Sequence, residues 1–234
     1  MNRLRRPAES QDAGLTLVEL LVAMMLTSLV LAMAGTFYVN VARATASAKA
    51  TRAAMGQTAL AVDAVRRIVM TASDNATSAT ATAPAVSTAT PTTLTVISYS
   101  STTSAVLTPS QVTFALDASG YLTETKQAGV IAATGYWVFT GVTTSRRVAG
   151  PFVTGAGTPF FSYVDANGAL LVSSPGLATA DLPKVAFVRV TAKVANTNMS
   201  GASDPVVTTT SIGLTNVYRD VGAGVQLPGL SGGQ

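Results

Sequence analysis

Residues 14–41 read GLTLVELLVAMMLTSLVLAMAGTFYVNV, and this stretch decides the fold. From Leu15 to Val41 it is almost wholly apolar, with Glu19 as its one charge. That is long enough to cross a bilayer as a helix of roughly 20 residues. Ahead of it, residues 1–14 read MNRLRRPAESQDAG, polar and carrying Arg3, Arg5 and Arg6. Basic residues before a first apolar helix hold that end in the cytoplasm. The expected topology is a single pass through the cytoplasmic (inner) membrane, with the amino terminus inside and everything after Val41 extracytoplasmic.

The small residue Gly14 stands before the apolar run. In an ordinary secretory signal the cleavage site follows the apolar region, so that cleavage discards it. Cleavage at Gly14 would instead keep the helix on the mature protein. A basic leader, then Gly14, Leu15, Thr16, and Glu19 at the fifth position of the remaining chain resembles the signature of type IV pilin-like prepilins. The resemblance implies cleavage between Gly14 and Leu15 by a prepilin peptidase, N-methylation of the new Leu15 amine, and polymerisation through the helix with other pilins or pseudopilins. Glu19 then becomes the assembly charge: a carboxylate in hydrocarbon costs several kcal/mol unless paired, and the Leu15 amine of a neighbouring subunit would pair it. The competing reading is a plain signal anchor in which Glu19 snorkels to the interface. The sequence departs from major pilins in having Leu15 where phenylalanine is commonest, and Ala34-Gly35-Thr36 in mid-helix with no proline. Gly35 marks a point of weaker helix propensity, or a small residue for close helix packing.

Beyond Tyr38 the chain turns amphipathic. Ala42, Met55, Ala59, Val62, Val65 and Val69 recur at helical spacing and predict continuation of the helix to about Ala72. Residues 42–72 are therefore read as an amphipathic half that needs a partner surface. The resemblance to pilins implies a β-sheet in the head as that partner; the competing coiled coil would need an apolar heptad, which is not sustained. Residues 73–93, rich in Ala, Thr and Ser with Pro84 and Pro91, read as a loop whose hydroxyls are candidate O-glycan acceptors.

From 94 to 220 the pattern is β-rich. Strands are predicted from Leu94 to Tyr99, Gln111 to Leu116, Tyr121 to Thr125, Tyr136 to Thr140, Phe160 to Val164 and Ala169 to Val172. A final alternating pair follows over Ala186 to Val194 and Val206 to Leu214. Asp117-Ala-Ser-Gly120 and Asp165-Ala-Asn-Gly168 read as hairpin turns, Asp opening each and Gly supplying positive φ. Residues 221–234 read as a flexible Gly-rich tail. The fold class is α+β: a long amino-terminal helix, first transmembrane and then amphipathic, packed on an antiparallel β-sheet head. The head from about Ala72 is expected to fold by itself. Its carboxy-terminal strands, with Asn216, resemble those of larger minor pilins of the PilW class and of J-type pseudopilins.

Composition narrows the function. Charged residues make up 11% of the chain, below the roughly 25% of soluble domains, which favours a membrane or a densely packed polymer. With no cysteine and no histidine, disulfide scaffolds, thiol nucleophiles and imidazole-dependent triads are excluded. No G-x-S-x-G or S-x-x-K motif occurs, so no catalytic residues and no enzymatic activity are expected, and no cofactor. Asp165 and Asn167 lack the further acids and bidentate Glu of a calcium loop, so no metal is expected. Arg146, Arg147, Lys184, Arg189 and Lys193 are available to nucleic acid. A solvated strand face explains them equally well, and no dense basic footprint supports that partner. Two functions stay open: a minor pilin or pseudopilin of a type IV pilus-like or type II secretion-like filament, and a membrane-anchored extracellular binding or adhesion protein that never polymerises.

Overall fold

The computed structural model describes residues 16–99, 108–153, 158–195 and 205–217. Its elements are α1 (Leu17–Val69), β1 (Asn75–Ala76), β2 (Thr82–Ala83), β3 (Val86–Ala89), β4 (Thr93–Ser98), β5 (Ser110–Leu116), β6 (Leu122–Ala128), β7 (Val130–Ile131), β8 (Trp137–Val138), β9 (Thr143–Ala149), β10 (Phe161–Val164), β11 (Leu170–Leu171), a 3-10 turn (Leu182–Lys184), β12 (Phe187–Val194) and β13 (Val206–Gly213). This is the expected α+β, pilin-like arrangement of one long amino-terminal helix and antiparallel sheets. The chain divides into two compact units, Met1–Ala48 and Lys49–Gln234.

In the first unit the described residues are Thr16 and the membrane-type part of α1. Every side chain from Thr16 to Ala46 is exposed. A helix with apolar residues on all sides and nothing covering them requires an apolar solvent or apolar neighbours. The Ser and Thr hydroxyls in this stretch are satisfied locally. Thr27 donates to the carbonyl of Ala23, Ser28 to that of Met25, Thr36 to that of Met33 and Thr45 to that of Val41. Back-bonding of this kind lets Ser and Thr sit in hydrocarbon without an orphaned donor. The helix runs unbroken through Gly35.

The second unit is built on two sheets. One has the order β3-β4-β5-β6-β9 and the other β11-β10-β12-β13, with all named pairings antiparallel. Ala54, Thr58, Ala61, Ala64, Val65, Ile68 and Val69 of α1 are buried. The apolar members join one core with Leu94, Val96, Phe114, Tyr163, Val188, Val190 and Ile212. The expected apolar face is thus partly corrected: Val65 and Val69 are buried, whereas Met55 and Ala59 are exposed. The face that packs runs through Ala54, Thr58 and Ala61, because small side chains let the helix backbone approach the sheets closely. Thr208 Oγ1 reaches Thr58 Oγ1 at 3.4 Å, and the Gln57 side-chain oxygen accepts from the Gly150 N–H at 3.0 Å.

Both predicted hairpin turns form. Asp117 Oδ1 accepts from the N–H groups of Ser119 (2.9 Å) and Tyr121 (2.8 Å), and Asp165 Oδ1 from those of Asn167 (2.9 Å) and Ala169 (2.8 Å). Gly120 and Gly168 take φ of 80° and 84°, which a β-carbon would disfavour. A β-carbon on Gly120 would also collide with the carbonyl oxygen of Phe152.

The segment 73–93, expected as a loop, carries β1, β2 and β3 and delivers Val86 and Ala89 to the core. Ala85, Val86 and Ala89 are small enough to pack beneath a sheet edge while the flanking Ser and Thr stay at the surface. The strand expected at Tyr136 to Thr140 shrinks to the two residues of β8, paired only with β7. Strand β9 was not expected, because Thr143, Thr144, Ser145, Arg146 and Arg147 show no apolar alternation. It pairs with β6 by its backbone, and Arg146 supplies a side-chain anchor.

Candidate functional site

Helix α1 opens on a reciprocal cap. The Glu19 N–H donates to Thr16 Oγ1 at 3.2 Å, and Glu19 Oε2 accepts from both the Thr16 N–H and its hydroxyl at 3.1 Å. This is a capping box, in which a Thr and a Glu three residues on satisfy each other's orphan donors. A negative charge in the first turn also complements the helix dipole. Thr-Leu-Val-Glu carries the Thr-x-x-Glu signal in plain sequence, so Thr16 as the helix cap is legible there beside the charge of Glu19. Glu19 is exposed at this end of α1. Gly14 and Leu15, the expected cleavage and methylation positions, lie outside the described residues, as does the leader.

The remainder of the site is the apolar surface itself. Leu17, Leu20, Leu21, Met24, Met25 and Leu31 each expose half or more of their surface. The most apolar window of α1 is long enough to cross a membrane and none of it is buried within the protein, unlike the core helix of a soluble domain. This is consistent with a single-pass membrane anchor.

The head residues singled out in the sequence do not gather into one site. Arg146 holds Glu124 through Nε (3.0 Å) and Nη2 (2.6 Å), and Glu124 is only 7% exposed. Arg147 lies over the Tyr121 ring at 3.9 Å and 3.8 Å from Asp117, and Lys184 pairs with Asp181 at 2.7 Å. These three are engaged in holding strands and turns. Arg189 and Lys193 stand on β12, where Arg189 Nε contacts Ser211 Oγ at 3.4 Å. Asp165, weighed for calcium, spends Oδ1 on its own turn. Asn216 donates from Nδ2 to the Met70 carbonyl at 3.4 Å and bridges Ser73, fastening the end of β13 to the exit of α1.

No curated protein and no solved structure matches the chain. Residues 10–35 match the family model described as the prokaryotic N-terminal methylation motif, which spans Gly14, Leu15, the Thr16–Glu19 cap and the first part of the exposed apolar helix.

Proposed function

We propose that this protein is a structural subunit, a minor pilin or pseudopilin, of a type IV pilus-like or type II secretion-like filament, made as a prepilin. A prepilin peptidase cleaves between Gly14 and Leu15, the Leu15 amine is methylated, and α1 then serves first as a membrane anchor and later as the filament core. The leader faces the cytoplasm and the head lies outside. The observation that carries this reading is the match of residues 10–35 to the N-terminal methylation motif, with Glu19 as the one charge between Leu15 and Val41. The all-round exposure of the apolar helix supports it, since such a surface suits both lipid and a bundle of like helices. The role is non-catalytic.

Intact-mass and amino-terminal analysis of protein from native membranes tests the processing step. The expected outcome is a chain beginning at N-methyl-Leu15; retention of Met1, or cleavage beyond Ala34, would overturn the reading.

One observation favours the second reading, an anchored binding or adhesion protein that does not polymerise. Glu19 Oε2 already accepts two hydrogen bonds from its own Thr16, so part of what the carboxylate needs is met within a single helix. Cleavage after Gly14 together with co-purification with other pilins separates the two.

A further inference from the structure

Four strands stand at the edges of the two larger sheets: β3 and β9 on one, β11 and β13 on the other. Three carry features that discourage further pairing. β3 has four residues and a register shift between Val86 and Thr88, β11 has two residues, and β9 presents Arg146 and Arg147 beside a register shift opposite Leu122 and Thr123. β13 carries none. It is eight residues long, VVTTTSIG, uncharged and mostly β-branched, and it pairs with β12 in unbroken register from Val206 to Gly213. Natural sheets blunt their edges with charge, proline, bulges or brevity, so a long, straight, uncharged edge left beside three guarded ones is a strand built to be paired.

The register identifies which backbone groups are open. The Leu214 N–H donates to the Ala186 carbonyl, so in this antiparallel ladder the even-numbered residues of β13 bond to β12. The N–H and C=O of Val207, Thr209, Ser211 and Gly213 therefore point away from the sheet. Among the described residues no strand pairs with that side. On the outer face, one strand in, Arg189 lies opposite Ser211 and Lys193 opposite Val207, and among the described residues neither has a carboxylate partner. Arg189 already leans toward the edge through its contact with Ser211 Oγ. Two copies of β13 laid edge to edge would supply no carboxylate to these cations, since β13 is uncharged, so charge complementarity favours an acidic segment over a second copy.

We infer that β13 is a docking edge for an extended acidic segment of another protein, which adds to the sheet as an antiparallel fifth strand. The incoming strand bonds to the outward backbone of Val207, Thr209, Ser211 and Gly213. It carries carboxylates on the outer face opposite Ser211 and Val207, four residues apart, where Arg189 and Lys193 reach them across about 10 Å, two strand spacings. Between them lie β-branched residues facing inward opposite Thr208 and Thr210, with a small polar residue opposite Thr209. Main-chain bonds supply the affinity and the alternating side chains the specificity. This inference does not depend on filament assembly.

The test uses the full chain in detergent and a labelled peptide, acetyl-Ser-Glu-Val-Thr-Val-Glu-Ser-amide, with a Lys-for-Glu peptide as control. Saturable binding of the acidic peptide at concentrations up to about 1 mM is expected, and none of the basic one. Thr209→Pro removes one outward N–H and no main-chain bond to β12, giving up on that side only the exposed contact of the Thr209 hydroxyl with Thr191 Oγ1 at 3.4 Å, and should weaken binding about tenfold or more. Arg189→Gln with Lys193→Gln should weaken it severalfold and abolish its salt dependence. In the unsubstituted protein, bound peptide should slow hydrogen exchange at the Val207, Thr209, Ser211 and Gly213 amides, which reads the edge even if Thr209→Pro fails to fold. No saturable binding, equal binding of both peptides, or binding that leaves those four amides unprotected would overturn the inference. So would sedimentation showing a dimer abolished by Thr209→Pro, which would assign the edge to a second copy instead.

Discussion

The Tyr163 hydroxyl shares its one proton between two carbonyls, Thr90 at 2.9 Å and Thr93 at 3.0 Å, and so ties β10 to the segment entering β4. Its ring is fully buried, and burial holds the phenol above its ordinary range. A folded-state value above the unfolded value of about 10 favours the neutral phenol in the fold. This contribution to stability is complete below about pH 10 and falls away as pH rises beyond it, because the unfolded chain ionises first. Tyr163→Phe should lower stability at neutral pH by about 1 kcal/mol, leaving the Thr90 carbonyl without that donor, and should flatten the decline above about pH 10. Urea unfolding at a series of pH values checks both. Glu19 poses a sharper choice, between the local cap and a neighbour's amine. Glu19→Gln keeps an oxygen able to accept from Thr16 but removes the charge, whereas Glu19→Ala removes both. If charge pairing drives assembly, both variants are processed at Gly14 yet fail to crosslink with other pilins. If Glu19 acts only as a cap, the Gln variant co-assembles normally and only the Ala variant is impaired.

At the scale of elements, the second half of α1 shows two faces of opposite character. Ile68 is 3% exposed and packed in the core, whereas Leu60 is 56% exposed. Ile68→Ala should cost about 3 kcal/mol through lost burial and the cavity it leaves, and Leu60→Ala should stay within about 0.5 kcal/mol of the parent. Pulse proteolysis of the detergent-solubilised protein across a urea series measures the contrast. A loss at Leu60 equal to that at Ile68 would mean that the exposed face is covered in solution. These elements also show what the sequence could disclose. The helix, the two Asp-to-Gly turns and the β12–β13 pair were legible because each rests on local signals: apolar periodicity, turn chemistry and strict alternation. β3 and β9 were not, since Ala85, Val86 and Ala89 stand among Ser and Thr without strict apolar alternation, and the Arg146–Glu124 pair joins residues on different strands. The capping box is an intermediate case, its four-residue signal standing in plain view beside a more conspicuous charge. The contacts that seat α1, Gln57 with Gly150 and Thr58 with Thr208, span 93 and 150 residues and have no local signature.

For the whole molecule, the question is where the independently stable head begins. Strand patterns alone place the boundary near Ala72, but the core crosses that line: Ala61, Ala64, Val65, Ile68 and Val69 belong to the same cluster as Phe114, Val188 and Ile212. Burying a large aliphatic side chain contributes about 1.5–3 kcal/mol, so Val65, Ile68 and Val69 together supply about 6 kcal/mol. A domain of this size is stable by only about 5–15 kcal/mol in total. Removing that helix half would therefore consume a large part of the margin, and would also strip the cover from the apolar faces of both sheets. The compact unit that contains them starts at Lys49. A chain beginning at Lys49 is expected to be soluble, to show mixed α and β circular dichroism, and to melt in one cooperative transition. A chain beginning at Ala72 should aggregate, or bind a hydrophobic dye without a cooperative melt. Adding a synthetic peptide of residues 49–71 to the shorter chain should restore the transition, since the peptide supplies the missing face without the covalent link. Equal melting temperatures for the two chains would show that the sheets close on each other without the helix, and that the helix half is a passenger on the head.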